Sequence, residues 1–201
     1  MLLKINRRLV LASESPRRLQ LLRQIGLEPE VIPSMINEEE ITDSSMIELI
    51  QKLAEAKGRS ISGKVEDGII ISADTAVVLG DRLLGKPAGR DEAIDMLGEL
   101  SGNMHTVLTA FHILSTPSSN SIAGYEQTKV FFRTLSESEI ITYIDTAKPL
   151  DKAGAYGIQD AGALFIQKIE GCYNNVMGFP LTRFYETMID PENRKRLSLG
   201  E

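Results

Sequence analysis

Within six residues, Ser13-Glu14-Ser15-Pro16-Arg17-Arg18 brings together two hydroxyls and two guanidinium groups. Ser15 suits the N-cap of a helix and Pro16 its first position, so the first-turn N–H groups and the positive end of the helix dipole face outward. Arginines in that turn are unfavourable for the helix itself, a cost that a bound anion offsets. Hydroxyls, backbone N–H groups and guanidinium forks form a phosphate-binding set; the plain alternative is a capped helix with two solvated arginines. Lys57 is a second cation of interest. It ends a line of Met46, Ile50 and Leu53 on one helix face, where a lysine either snorkels from the core or reaches an anion. Asp74 interrupts Ile69-Ile70-Ile71-Ser72-Ala73-Asp74-Thr75-Ala76-Val77-Val78, a run otherwise suited to burial on both faces. A buried carboxylate needs a partner cation, a metal or hydrogen bonds. At the end of a strand in an α/β protein it is also where catalytic acids and bases sit, although a structural cap is the simpler role.

Other chemistries are excluded by residue type. Gly80-Asp81-Arg82-Leu83-Leu84-Gly85-Lys86-Pro87 approaches a P-loop, but Pro87 stands where the metal-binding hydroxyl belongs and removes an N–H. Lys86 is left as a point charge for an anion. With one cysteine, Cys172, and two histidines, His105 and His112, there is neither an internal disulfide nor a four-ligand Cys/His zinc set. A metal would have to sit on oxygen, the preference of Mg²⁺ or Mn²⁺. Glu38-Glu39-Glu40 reads as a solvated group from which one carboxylate can turn inward. Across 201 residues, 28 acidic against 22 basic side chains give a net charge of −6, which disfavours a general nucleic-acid binder. Apolar runs are far shorter than the roughly 18–20 residues of a membrane span. Charge interrupts the apolar start, so no signal peptide is expected, and the protein is expected to be cytoplasmic.

The elements that must carry these residues follow from periodicity. Strands are predicted at Arg8 to Ala12, Glu30 to Pro33, Gly68 to Ser72, Ala76 to Leu79, Thr106 to Leu114, Gln127 to Arg133 and Ala163 to Ile169. Helices are predicted from Pro16 to Ile25, with Leu19, Leu22 and Ile25 on the core side, and after Ser45, where Ser45 and Glu48 suggest a capping box. Others run from Arg90 to Leu100, from Ser136 to about Thr146, and from Pro180 onward with Leu181, Phe184, Tyr185 and Met188 inward. Crossovers and hairpins together imply an α/β fold with a mixed central sheet and flanking helices. No repeat or long linker divides the chain, so one domain over residues 1–201 is expected.

The ordered motifs resemble the Maf family of nucleoside triphosphate pyrophosphatases from about Leu9 to Leu181. The resemblance rests on Leu11 to Arg18, Lys57, Ala73-Asp74-Thr75, Gly85-Lys86-Pro87, Leu100-Ser101-Gly102 with His105, Asp151 to Gln159, and Gly178-Phe179-Pro180-Leu181. It implies two lobes around a nucleotide-binding cleft, as in inosine triphosphatase-like folds, and hydrolysis between the α- and β-phosphates of a nucleoside triphosphate. Asp74 is then the catalytic base, Glu38 and Asp74 hold Mg²⁺ or Mn²⁺, and Ser13, Arg17, Lys57 and Lys86 contact phosphate, with Arg18 a weaker candidate. Arg17, Thr75 and Gln159 carry substrate choice, and the Ala155 to Gln159 motif is similar to the branch acting on dTTP and UTP. A homodimer is implied; the net charge and the short apolar runs lead to the expectation of no nucleic-acid and no membrane partner. The family's septum-formation label offers an alternative, a regulatory or interaction protein in cell division. Departures from the pattern are Glu14, Phe179, Asn103-Met104 and Cys172.

Overall fold

The computed structural model describes residues 3–200; the single-domain expectation also covers Met1, Leu2 and Glu201, which lie outside the described residues. The chain is α/β with a mixed sheet. Its strands are β1 (Leu9–Leu11), β2 (Glu30–Val31), β3 (Gly68–Leu79), β4 (Arg82–Leu84), β5 (Met104–Thr116), β6 (Ser121–Phe132) and β7 (Ile166–Glu170). The sheet order is β2-β1-β3-β5-β6-β7, with β4 paired to β3. β1 runs parallel to both β2 and β3, placing Leu9–Leu11 opposite Ile69–Ile71, whereas β4 lies antiparallel against Val77–Leu79. Flanking helices are α1 (Pro16–Gln24), α2 (Met46–Ser60), α3 (Arg90–Leu100), α4 (Glu137–Ala147), α5 (Tyr173–Val176), α6 (Leu181–Ile189) and α7 (Pro191–Arg196). None is long and apolar enough to cross a membrane.

By its contacts the chain divides into two compact units. The first comprises residues 3–74, 109–126 and 178–200. Its core includes Val10, Ala12, Ile70 and Leu114 from the strands and Ile61 and Val65 from the connection after α2. A second apolar centre there is aromatic: Phe184 of α6 meets Phe111 edge-on at 5.8 Å and Phe179 at 5.1 Å. The second unit comprises residues 75–108 and 127–177. Its core takes Ala93, Met96, Leu97 and Leu100 from α3, a spacing of three and four residues that makes one helical stripe. Ile140, Tyr143 and Ile144 of α4, Phe132, Tyr156 and Phe165 complete it.

Five local differences from the sequence expectation stand out. β3 is one twelve-residue strand rather than two pieces, because Asp74, the residue expected at a strand end, has its charge met in place by Lys57. β6 starts six residues earlier than Gln127, since its first half alternates exposed and half-buried side chains and carries little apolar signal. Residues 161–165 form a 3₁₀ turn capped by Asp160, so the last strand begins at Ile166. Helix α7 was not expected, although Asp190-Pro191 marks it: the Asp190 carboxylate accepts from the Asn193 N–H at 2.9 Å. At α2, Ser45 Oγ accepts from the Glu48 N–H, but the reciprocal bond to the Ser45 N–H comes from Asp43, at 3.0 Å, rather than from Glu48.

Two buried histidines make stability depend on pH. Burial pulls the pKa of both His105 and His112 down from 6.5 to about 4. The unfolded chain takes up those protons near 6.5, so between pH 6.5 and 4 it binds more protons than the folded chain and stability falls as pH drops. Above 6.5 the contribution is complete, and its loss amounts to at most about 3 kcal/mol per histidine. Urea unfolding should therefore show a midpoint that is level from pH 7 to 8.5 and declines steadily from 6.5 to 4.5; a level profile across the lower range would contradict neutral burial of the two rings.

Candidate active site

The first unit assembles a charged cluster beyond the carboxyl end of β1. Asp74 lies in the part of β3 between the residues that pair with β1 and those that pair with β4. Lys57 reaches it from α2, whose buried stripe runs Ile50, Leu53, Ala54, Lys57 and Gly58. Gly58 lets this turn of α2 come close to the sheet: a Cβ there would sit 2.7 Å from Ser72 Oγ and 3.2 Å from His112 Nδ1. Ser72 Oγ in turn donates to the Ala54 carbonyl at 2.6 Å, fastening helix to strand two residues before Asp74. The result is a short pair, Lys57 Nζ to Asp74 Oδ1 at 2.5 Å, with both residues about nine-tenths buried. The same ammonium holds Glu38 Oε1 at 2.9 Å; the Glu38 side chain, from the 3₁₀ turn Glu38–Glu40, remains 56% exposed.

Ser13 and α1 supply the other side of this cluster. Ser13, 6% exposed, accepts at Oγ from the Ser15 N–H (3.2 Å) and from Arg18 Nη1 (3.1 Å). Ser15 occupies the N-cap position, but its side chain makes no capping bond. Arg18 also donates from Nε to the Gly178 carbonyl at 3.0 Å. Burial lowers the Arg18 pKa, Asp74 and more weakly Glu38 oppose that shift, and Arg17 adds to it. The guanidinium stays charged, as arginine does in proteins. Arg18 is thus within the electrostatic reach of both carboxylates and is tied to Ser13, whereas sequence reading ranked Arg17 above it. Leu21 and Leu22 are the buried residues of α1, and Arg17, Arg18 and Leu19, one turn earlier, are each half-buried.

The remaining expected site residues belong to the second unit. Thr75 is half-buried and, by strand alternation, lies on the face of β3 opposite Asp74. Lys86 is exposed and lines a groove of about 350 Å³ with Arg82, Glu92, Asp95 and Glu99. Its segment forms a strand and turn, with none of the loop-to-helix geometry of a P-loop. Gln159 is exposed in the turn between Gly157 and Asp160. His105 packs edge-on to Phe132 and Tyr156 and shares a 2.7 Å hydrogen bond with the Tyr156 hydroxyl, a place inside the core of that unit.

Over residues 8–190 the chain matches the Maf-like protein family. It belongs to the Maf family. Similar proteins named dTTP/UTP pyrophosphatase occur in Acetivibrio thermocellus, 44% identical with 91% of this chain and 94% of that one covered. They occur also in Pelotomaculum thermopropionicum, at 43% over 90% and 94%. The Carboxydothermus hydrogenoformans relative is 44% identical over 90% of this chain and 97% of that one. Among solved structures, the Ham1 protein of Staphylococcus aureus is similar with a TM-score of 0.45 and 14% identity, covering 62% of this chain and 71% of that one.

Because Lys57 and Asp74 are both withdrawn from water, removing one partner leaves the other charge buried and uncompensated. Lys57→Met should destabilise this Maf protein by about 3–5 kcal/mol in urea unfolding, and a Lys57→Met/Asp74→Leu pair should recover most of that. Glu38→Gln, at a largely exposed side chain, should cost less than about 1 kcal/mol. Equal losses for Lys57→Met and Glu38→Gln would contradict the buried pair as the central contact.

Proposed function

We propose that this Maf-family protein hydrolyses dTTP and UTP, and modified pyrimidine nucleoside triphosphates, to the monophosphate and pyrophosphate. The observation that carries the reading is the Glu38–Lys57–Asp74 cluster next to Ser13 and the α1 N-terminus. It combines a base, cations and backbone donors, and a surface serving only protein contacts has no use for a buried pair of that kind. The names of the relatives, at 43–44% identity over nine-tenths of the chain, support the substrate class.

In this reading the triphosphate is held by Ser13, Arg17, Arg18 and Lys57, and the N–H groups at the start of α1 face its oxygens; Lys86 is assigned to phosphate by the family resemblance alone. Lys57 engages Asp74 Oδ1, and Oδ2 takes the proton of the attacking water. The water oxygen forms a bond to the α-phosphorus as the bond to the α,β-bridging oxygen breaks, and pyrophosphate leaves with that electron pair. Charge moves onto phosphate oxygens in the transition state, where fixed cations stabilise it without reorganising. Thr75 and Gln159 are assigned to the base, since a glutamine amide offers a donor and an acceptor to a pyrimidine edge.

The donor set suits a divalent cation. Glu38 Oε1 and Asp74 Oδ1 are engaged by the Lys57 ammonium, so the second oxygen of each carboxylate would be the one to hold Mg²⁺, which characteristically takes one or two carboxylates and completes its shell from phosphates and water. No cluster of three or more His, Cys, Asp or Glu side chains suited to a metal occurs among the described residues. When bound, Mg²⁺ or Mn²⁺ would neutralise phosphate charge. The reading further takes the chain as one domain and cytoplasmic, as the sequence pattern suggests, and as dimeric, as the family resemblance implies.

Purified protein with Mg²⁺ or Mn²⁺ should convert dTTP and UTP to monophosphate and pyrophosphate, resolved by anion-exchange chromatography. Nucleoside diphosphate and orthophosphate as products would reject the assigned bond. Asp74→Asn, assayed at a temperature where it is still folded because it also removes one charge of the buried pair, should lose roughly 100-fold or more in kcat; unchanged turnover would remove Asp74 as the base.

A further inference from the structure

The turn that carries Gln159 is closed far more tightly than an exposed surface turn requires. Gly157 and Gly162 meet at its base: a Cβ on Gly162 would lie 2.6 Å from the Gly157 carbonyl oxygen, and one on Gly157 would lie 2.4 Å from Asp160 Oδ2. Two side chains tie these ends together. Tyr143 of α4, 4% exposed, accepts at its hydroxyl from the Gly157 N–H at 3.2 Å and donates to Asp160 Oδ1 at 3.1 Å. The same Oδ1 accepts from the Gly162 N–H at 2.9 Å, and Lys152 Nζ stands 3.8 Å from Oδ2. Burial first, then Asp160, push the Tyr143 hydroxyl above the usual tyrosine range, so it remains a donor at any physiological pH.

The core does not need this hydroxyl. The Tyr143 ring packs edge-on to Phe165 at 4.8 Å and sits among apolar side chains of the second unit, a role a phenylalanine would fill. Among the described residues the hydroxyl bonds the feet of the Gln159 turn, and a buried hydroxyl is costly unless so used. Discrimination by an amide demands tight placement: a recognition group must be held within about 0.5 Å of its productive position by neighbours whose own conformations are fixed. A site built to hydrogen-bond one edge discriminates against a ligand that leaves its polar groups unpaired.

We propose that Tyr143 and Asp160 are specificity-determining positioning residues, fixing the Gly157–Gly162 turn so that Gln159 meets the nucleobase in one pose. They set the preference for a pyrimidine without touching it. This rests on the reading of Gln159 as the base-contacting residue, so the test varies both. Steady-state kinetics on UTP, dTTP, ATP and GTP would compare the wild type with Tyr143→Phe, Asp160→Asn, Gln159→Ala and the Tyr143→Phe/Gln159→Ala double variant. Thermal midpoints would be recorded in parallel.

Tyr143→Phe and Asp160→Asn should each lower kcat/KM for the pyrimidine substrates by about tenfold through KM, with kcat held within about twofold and purine rates unchanged. Adding Tyr143→Phe to Gln159→Ala should change the pyrimidine-to-purine ratio no further. Equal losses on purines and pyrimidines, or an additive loss in the double variant, would overturn the positioning role. If Gln159→Ala abolishes the preference while Tyr143→Phe and Asp160→Asn both retain it, only the positioning role falls. If Gln159→Ala retains the preference, the assignment of Gln159 falls and the proposal falls with it. Should Tyr143→Phe lose its folding transition, Asp160→Asn decides alone.

Discussion

The pair of Lys57 and Asp74 is the constraint around which the first unit is arranged. A carboxylate within an apolar strand is tolerable only with a cation delivered at contact distance, and that cation is equally dependent on the carboxylate. Several features that look unrelated serve this meeting. The glycine at 58 brings α2 close to the strand, the Ser72 hydroxyl fastens them, and β1 stops short so that the backbone near Asp74 has no strand partner from that side. Glu38 then joins from a polar turn, giving the ammonium a second carboxylate.

Much of this was legible in the sequence, for reasons that differ from residue to residue. Lys57 was readable because helical spacing is rigid: a lysine in line with Ile50 and Leu53 must lie on the buried face. Asp74 was readable because a charge inside an apolar run demands an explanation. The continuity of β3 was not, since nothing local says whether the charge ends the strand or is compensated from a distant helix. Arg18 was given less weight than Arg17 by the family resemblance, and nothing local in a nine-residue helix says that its guanidinium ties Ser13 to the Gly178 carbonyl. The roles of Tyr143 and Asp160 were invisible, because one side chain in a helix and one in a turn acquire a joint meaning only when the fold brings them within 3.1 Å.

The two groups of site residues are held by different means. In the first unit, regular elements do the positioning: a strand residue and a helix residue meet where two surfaces pack, and either can be displaced only by moving its element. In the second, Gln159 rides on a turn with no ladder to hold it, so side-chain hydrogen bonds take over the work that sheet and helix do elsewhere. Turns are readily altered without disturbing a core. On the function proposed above, the base preference can change at positions 157–162 while the phosphate chemistry stays on the rigid elements.

Ser13 shows how far such preparation extends. A hydroxyl has two lone pairs and one hydrogen, and here the Ser15 N–H and the Arg18 guanidinium occupy both lone pairs. What is left to present is the hydrogen alone. The residue has lost the ambivalence that makes serine a general-purpose polar group and has become a group of fixed sign: any further partner at Oγ has to accept its hydrogen, and an ammonium or another hydroxyl proton finds no electron pair to bind.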